Sequence, residues 1–218
     1  MATLTEHWNN IYETTEEKKL GWYEDDFSQI LDFLNQIPKQ DNTKLFISGV
    51  GRSALPYLLL KSARHNQQNI ALILNDLSSE IITSEKEKYS KEFTPTPNNI
   101  QWLCQDISQP LPSNLTQNCS IDIWIDRAVL HFLIDETDIN EYFKNINKTV
   151  KVGGYALFAE FSKDDATQCA GLDVTRYDVD MLQNRLSNYE LIKSQEYLYI
   201  NPNKSPRPYI YTLFQRKL

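Results

Sequence analysis

The stretch LFISGVGRS, at positions 45–53, joins a short apolar run to a turn that contains two glycines. Apolar residues bounded by a turn indicate a strand that is buried on both faces. Gly49 and Gly51 allow a tight turn and let a ligand approach the backbone closely. A helix is predicted at 53–64, with Ser53 as its N-cap, and its N-terminus offers free N–H groups to a ligand. The stretch therefore predicts a strand–turn–helix unit with a candidate binding turn.

Strands and helices continue to alternate after this unit. The apolar runs predict strands at 69–76, 100–106, 121–128 and 153–161, the last entered through a turn of two glycines. Between and after them, helices are predicted at 78–92, 138–150 and 178–187. This alternation implies right-handed βαβ units and a parallel sheet. The last strands, 189–200 and 209–216, are joined by a proline-rich loop without a helix, so they are expected to form an antiparallel hairpin.

Upstream of the glycine turn, residues 5–37 carry apolar side chains at helical spacing, and Gly21 is expected to divide them into two helices. We therefore expect one domain over residues 1–218, with a helical cap at 1–37 and a core at 44–218. The predicted fold class is α/β: a seven-stranded, mostly parallel sheet, helices on both faces and an antiparallel C-terminal hairpin.

Composition narrows the classes of function. The chain has 218 residues, of which 41% are hydrophobic, and a net charge of −7, which disfavours nucleic-acid binding. The sequence contains no leader pattern and no apolar run long enough to span a membrane. Its three cysteines are widely spaced and predict neither a zinc site nor a disulfide framework, so a cytoplasmic protein without a bound metal is expected.

Acidic residues end the second and third predicted strands. Asp76 is the last residue of the second strand, where a dinucleotide-binding unit holds a ribose diol. Asp106 ends the third strand and Ile107 follows it, and there an acid can accept a hydrogen bond from an adenine amino group while the apolar side chain packs on the ring. The alternatives are a helix-capping role for Asp76 and an ordinary loop position for Asp106.

The fourth strand ends in a charged pair, Asp126 and Arg127, followed by His131. Such a pair is costly after an apolar run unless it is paired or faces a cleft. His131 is a candidate general base, because histidine titrates near neutral pH, and a packed core histidine is the alternative. Trp22 either covers a pocket or packs in the core.

Two later segments also carry polar and aromatic groups. The loop after the fifth strand, with Cys169 and Arg176, is expected to shape a substrate site. Arg207 and Tyr209 stand at the entrance of the last hairpin and are interpreted as surface turn residues.

In this order, the segments resemble a class I S-adenosylmethionine (SAM)-dependent methyltransferase over nearly the whole chain. GVGRS is similar to the glycine-rich first motif of that family, LILNDLS to the second, CQDI to the third and WIDRAVLHFL to the segment after the fourth strand. The N-terminal HWNNIY…LGWYE resembles thiopurine- or tellurite-type enzymes and small protein-lysine methyltransferases.

The resemblance implies a SAM site in this chain and two catalytic candidates, His131 and Asp126. The implied cofactor-binding residues are Gly49, Gly51, Ser53, Asp76, Leu77, Asp106, Ile107, Asp126, Arg127 and Trp22. The chain departs from the family twice: Ser48 replaces an acid before the glycines, and Ser53 replaces a third glycine. Asp126 is the candidate to compensate.

The expected function is methyl transfer to a heteroatom, sulfur or nitrogen, of a small-molecule acceptor. A protein-lysine methyltransferase is the main alternative, with a protein substrate as partner. An NAD-dependent reductase and a non-catalytic SAM-binding protein are two further alternatives. The reductase lacks support because GVGRS does not complete the G-x-G-x-x-G pattern.

Overall fold

The computed structural model describes residues 3–93, 97, 99–164 and 166–217. A sheet of seven strands organises this part of the chain, in the order β3-β2-β1-β4-β5-β7-β6. The strands are β1 (Asn42–Ser48), β2 (Asn69–Asp76), β3 (Ile100–Cys104), β4 (Ile121–Arg127), β5 (Val150–Phe161), β6 (Tyr189–Ile200) and β7 (Pro206–Arg216). The predicted domain ends, Met1 and Leu218, lie outside the described residues.

Strands β1 to β5 pair in parallel, whereas β7 is antiparallel to both β5 and β6. The predicted fold class and the antiparallel C-terminal hairpin are therefore confirmed. The chain passes from β1 outward to β3 and then returns to the other side of β1 with β4. Ligands of open α/β sheets bind where strand order reverses in this way, beyond the carboxyl ends of the strands.

Helices cover both faces of the sheet. They are α1 (Leu4–Thr14), α2 (Ser28–Leu34), α3 (Leu55–His65), α4 (Ser79–Glu92), α5 (Ser113–Thr116), α6 (Glu136–Thr149) and α7 (Val179–Arg185). Side chains of α2, α3 and α4 belong to the hydrophobic cluster on one face, and those of α5, α6 and α7 to the cluster on the other. The helix α1 lies beside α4 and forms a smaller cluster with it.

Alternation along the strands explains why the core has two layers. In β1, Leu45 and Ile47 belong to one cluster and Phe46 to the other. Successive side chains of a strand point to opposite faces, so an entirely apolar strand fills both layers. Phe46 stacks on Trp124 of β4 with 4.0 Å between ring centroids. This contact stabilises the pairing of the two central strands on the face that α6 covers.

The N-terminal region contains less helix than predicted. The helix α1 ends at Thr14, a 3₁₀ turn follows at Glu17–Lys19, and α2 begins at Ser28. Gly21 lies in the irregular segment between them. The predicted N-cap of α3 was one residue early: Ala54 occupies that position, and the Ser53 hydroxyl accepts a hydrogen bond from the Leu55 N–H at 3.2 Å.

The predicted glycine turn before β5 is wrong, because the strand begins at Val150 and contains both glycines. Gly153 adopts a φ of +79°, and the pairing of β4 with β5 shifts register between Ile121 and Ile123. A Cβ on Gly154 would lie 2.9 Å from the Lys151 carbonyl oxygen. The glycines therefore serve a bulge inside the strand.

Among the described residues, no helix is long and apolar enough to cross a membrane. In the same part of the chain, no group of three or more His, Cys, Asp or Glu side chains is placed to hold a metal ion.

Candidate active site

A cavity of about 300 Å³ opens beyond the carboxyl ends of the parallel strands. Its walls combine strand ends, helix α1, the loop after β5, the turn before β7 and the start of β7. Its residues include most of those predicted to bind the cofactor: Trp22, Gly49, Asp76, Leu77, Asp106, Ile107 and Arg127. His131, predicted to be catalytic, also lines it. The chain thus brings residues from its first and last thirds to one crevice.

At the glycine turn after β1, any residue other than glycine would have a strained backbone and a Cβ atom too close to its neighbours. Gly49 and Gly51 have φ angles of +53° and +49°, in the left-handed region that favours glycine. A Cβ on Gly49 would lie 2.2 Å from Cγ2 of Val129, and one on Gly51 would lie 2.7 Å from the Tyr12 hydroxyl oxygen. Glycine is therefore required at both positions by conformation and by space.

Asp76 connects this turn to the start of α4. Its Oδ2 accepts a hydrogen bond from the Gly51 N–H at 2.8 Å, and its Oδ1 accepts one from the Ser78 N–H at 2.9 Å. Burial raises the pKa of the Asp76 carboxyl above its usual value. Ser78 caps α4, its hydroxyl accepting from the Ile81 N–H at 3.1 Å, so helix capping does not fall to Asp76.

The next strand end carries Asp106 and Ile107, both on the cavity wall. One oxygen of Asp106, Oδ1, accepts hydrogen bonds from the Ser108 N–H at 2.9 Å and from the Ser108 hydroxyl at 2.8 Å. The side chain thus stabilises its own turn while it faces the cavity. Ile107 is buried beside it and adds an apolar surface.

Arg127, at the end of β4, bonds to the N-terminal segment. Its Nε lies 2.8 Å from Oε2 of Glu24, and its Nη1 donates to the Trp22 carbonyl oxygen at 3.1 Å. The guanidinium also lies over the rings of Tyr199 and Tyr209, 5.5 Å and 5.8 Å from their centroids. The N-terminal segment, β4 and the C-terminal hairpin therefore meet at one cation.

Asp126 does not line the cavity, contrary to its predicted role as a cofactor ligand. The side chain is completely buried: Oδ1 accepts from the Val129 N–H at 3.0 Å, and Oδ2 accepts from the Tyr142 hydroxyl. The physical reason is strand alternation, which turns Arg127 toward the cavity and Asp126 toward α6. The geometry therefore does not support direct contact of Asp126 with the cofactor or with an acceptor.

His131 lies at the cavity wall, and its side chain is buried. Its Nδ1 lies 2.7 Å from Oε2 of Glu160, which also accepts the His131 backbone N–H at 3.1 Å. The ring stacks on Phe161 with 4.3 Å between centroids. Burial raises the pKa of Glu160 to about 8, and burial together with Glu160 raises that of Asp126. Two buried carboxyl groups thus lie behind the histidine.

Sequence reasoning missed part of the cavity wall. Trp8, Tyr12, Asn201 and Asn203 line it, as do Arg207 and Tyr209. The interpretation of the last two as surface turn residues was wrong: both lie within β7, and Tyr209 is 1% exposed because its strand lies between β5 and β6. The aromatic spacing of α1 was visible in the sequence, but core packing produces the same spacing.

A second, smaller cavity of about 60 Å³ adjoins the first, and Trp22, Gly49 and Arg127 line both. Ser53, predicted to bind the cofactor, lines only the smaller one, together with Ser48 and Glu24. The Ser48 hydroxyl is buried and has no hydrogen-bond partner in the described part of the chain. The two spaces therefore adjoin at the glycine turn.

Residues 48–158, slightly more than half of the chain, match the protein family described as methyltransferase domain. The chain belongs to this family. This membership sets aside the reductase interpretation, and the enzyme is a class I methyltransferase whose cofactor is SAM. A search of curated proteins finds no match to this methyltransferase.

Several solved structures share the fold of this methyltransferase at low sequence identity. A SAM-dependent methyltransferase from Anabaena variabilis is 12% identical, with a TM-score of 0.74 over 98% of this chain and 93% of that one. The N-methyltransferase NodS from Bradyrhizobium japonicum, solved with S-adenosylhomocysteine, is 14% identical, with a TM-score of 0.68 over 96% and 98%. The Burkholderia thailandensis 1,6-didemethyltoxoflavin-N1-methyltransferase is 13% identical, with a TM-score of 0.63 over 96% and 82%.

The cavity fits the chemistry of SAM. The close approach that glycine permits, a carboxyl group at the end of β2 and an acid next to an apolar side chain at the end of β3 suit a ribose and an adenine. The cavity volume lies at the lower end of the range for small-molecule sites, which begins at about 300 Å³.

Proposed function

We propose that this methyltransferase transfers its methyl group to a nitrogen or sulfur atom of a small-molecule acceptor. The observation that carries the proposal is the covered cavity: Nε2 of His7, in α1, lies 3.0 Å from the Ala170 carbonyl oxygen in the loop after β5. Helix α1 and this loop thus meet across the crevice. A covered space suits a small acceptor better than a protein surface.

The acceptor side of the cavity is largely aromatic. Phe132, Phe161 and Tyr209 line it, with Arg207 near its rim and 5.6 Å from the Phe161 ring centroid. Aromatic walls exclude water and hold a flat or apolar molecule in one orientation. Two of the structural neighbours are named as N-methyltransferases, which favours nitrogen over sulfur.

For the cofactor, we propose two groups of contacts. Gly49, Asp76, Leu77, Asp106 and Ile107 bind the adenosine portion, and Trp22, Gly51, Ser53 and Arg127 border the methionine portion. The division into a cap at 1–37 and a core at 44–218 is part of this proposal, because the cap supplies Trp22 and helix α1, which covers the cavity. Three free cysteines in the described residues favour a reducing compartment, such as the cytoplasm.

Bound SAM supplies a methyl group already activated on a sulfonium, so the protein has mainly to align the acceptor and exclude water. A nitrogen acceptor must be deprotonated before it attacks, and we propose that His131 accepts this proton. Glu160, bonded to Nδ1 of the ring, orients the imidazole, and in its ionised form it stabilises the protonated ring. Asp126 acts behind them as a positioning residue.

The decisive experiment uses labelled SAM with extract of the producing cells. We expect label in the low-mass fraction, and a labelled protein band would overturn the proposal in favour of a protein-lysine methyltransferase. On the acceptor so identified, His131→Asn should lower kcat by about 100-fold or more, the range typical of general bases. The affinity for S-adenosylhomocysteine should stay within about twofold, since the ring lies on the acceptor side. Unchanged kcat would remove His131 from the mechanism.

A further inference from the structure

We propose that Glu24 binds the α-ammonium group of the methionine portion of SAM. The glycine turn itself offers no carboxylate there, because Ser48 stands before Gly49. Asp126, the expected substitute, points toward α6 and bonds to Tyr142. Two carboxylates, Glu17 and Glu24, line the smaller cavity next to the turn, and Glu24 is the one that pairs with Arg127.

The position of Glu24 follows from how the two cavities join. Trp22, Gly49 and Arg127 belong to both walls, so the two spaces adjoin at the glycine turn, and the proposal places the end of a ligand that lies along the turn in the smaller one. The buried Ser48 hydroxyl, without a partner among the described residues, lines the same small space and can accept or donate a hydrogen bond there. These two polar groups face one small volume.

The Glu24–Arg127 pair is chemically complementary to an amino acid. The side chain of Glu24 is 5% exposed and that of Arg127 is 13% exposed. A carboxylate accepts up to about four hydrogen bonds, so Oε2 can pair with Arg127 while the group also accepts from an ammonium. The guanidinium, with five N–H donors, suits the carboxylate of the same zwitterion.

Because Glu24 is buried, its pKa depends on the charged groups next to it. Loss of hydration raises the pKa of this carboxyl group, whereas the nearby Arg127 lowers it. A second cation held against the carboxylate would favour its ionised form further. Binding an ammonium therefore improves the electrostatics of a group that the fold has already buried.

A purely structural role for Glu24 predicts a different result. In that case the pair only ties the N-terminal segment to β4, as the Trp22 carbonyl contact also does. Losing it would loosen the cap over the whole cavity and weaken every ligand alike. The two roles therefore differ in whether the defect depends on the amino acid part of the ligand.

Calorimetric titration of Glu24→Gln with two probes separates these roles. S-adenosylhomocysteine carries the amino acid, whereas 5′-methylthioadenosine keeps the adenosine and the thioether but lacks it. We expect affinity for the first to fall by about tenfold or more, as for loss of a charged hydrogen bond, and affinity for the second to stay within about twofold. Equal losses for both probes, or no loss for the first, would overturn the proposal.

A matched control and a third probe complete the test. Asp25→Asn removes the same charge from the exposed neighbouring position and should leave both affinities unchanged. The deaminated analogue of S-adenosylhomocysteine keeps the carboxylate and lacks the ammonium. The wild type should bind it more weakly than S-adenosylhomocysteine, and Glu24→Gln should bind the two about equally; an unchanged preference in the variant would contradict the assignment. Thermal unfolding of each variant verifies that the cap is intact.

Discussion

The two halves of the cavity are built differently. The proposed adenosine half comes from the ends of β1, β2 and β3, and Asp76 reaches Gly51 across 25 residues of sequence. In the methionine and acceptor half, Arg127 bonds to Trp22 across 105 residues, and the Tyr199 hydroxyl donates to the Tyr23 carbonyl across 176. The first half is a local product of consecutive βα units, and the second is assembled by the whole fold.

This difference has a mechanical consequence. Parallel pairing fixes the strand ends of the first half in register, with Asp76 opposite Cys104. The second half depends on contacts of the N-terminal segment with β4 and with the hairpin, such as the ion pair of Arg127 with Glu24. We therefore expect the first half to be preformed. Substitutions in the second half should change the recognition of the acceptor and of the methionine portion of SAM.

The largest effect is expected at the first half, from Asp76→Ala. The substitution removes the acceptor of the Gly51 and Ser78 N–H groups as well as the proposed ribose contact. We expect affinity for S-adenosylhomocysteine to fall by about 100-fold or more, and the free energy of unfolding to fall by about 2–4 kcal/mol. Titration calorimetry and denaturant unfolding measure the two effects.

Asp26→Ala is the matched control for this change. Asp26 also accepts a backbone hydrogen bond, from the Ser28 N–H at 2.9 Å, but it is exposed and lies outside both cavities. Its affinity for S-adenosylhomocysteine should stay within about twofold of wild type. Similar binding by Asp76→Ala and the control would contradict a ribose role for Asp76.

The same difference explains what the sequence could predict. The sheet, the glycine turn and the acids at 76 and 106 could be found because periodicity and strand ends are local signals. The direction of the Asp126 side chain could not be predicted, because it depends on which residues of β4 face α6 in the folded chain. Glu24 and Tyr209 gave no local signal, since their places at the cavities depend on chain segments far away in sequence.

The cap illustrates a further limit of the sequence. Trp8 and Tyr12 occupy helical spacing that packing alone would explain, yet both line the cavity. The Tyr12 hydroxyl fills the space that a side chain at Gly51 would need. Helical periodicity identifies which face of α1 is covered, but not whether protein or ligand covers it.

An intermediate effect, in the second half, should come from Glu160→Gln through the pH dependence of stability. The folded-state pKa of Glu160 is about 8, above its usual value of 4.5, so the folded protein retains a proton that the unfolded chain releases between these values. The stability that this proton provides is complete below about pH 4.5 and is lost as pH rises through 8. The free energy of unfolding should therefore fall across this window, by at most about 1.4 kcal/mol per pH unit from this group.

Glu160→Gln should flatten that slope, as followed by denaturant unfolding at pH 5 to 8. Glu85→Gln is the matched control, because burial raises the pKa of Glu85 only to about 7. It should flatten the slope below pH 7 and leave the decline between pH 7 and 8 in place. Parallel slopes for wild type and Glu160→Gln would show that the buried proton is not on Glu160.

The smallest effect is expected from Asp106→Asn, which tests whether the end of β3 recognises adenine. The amide can still accept hydrogen bonds from the Ser108 turn but is a weaker acceptor than a carboxylate, so affinity for S-adenosylhomocysteine should fall by about fivefold. S-inosylhomocysteine lacks the adenine amino group, and the wild type should prefer the adenosine ligand by about tenfold, a preference that the variant largely loses. Ser108→Ala keeps the carboxylate and removes one of its partners, so it should retain the preference. If Asp106→Asn keeps that preference as well, Asp106 serves only its own turn, and recognition of the base in the first half rests on Ile107 and shape.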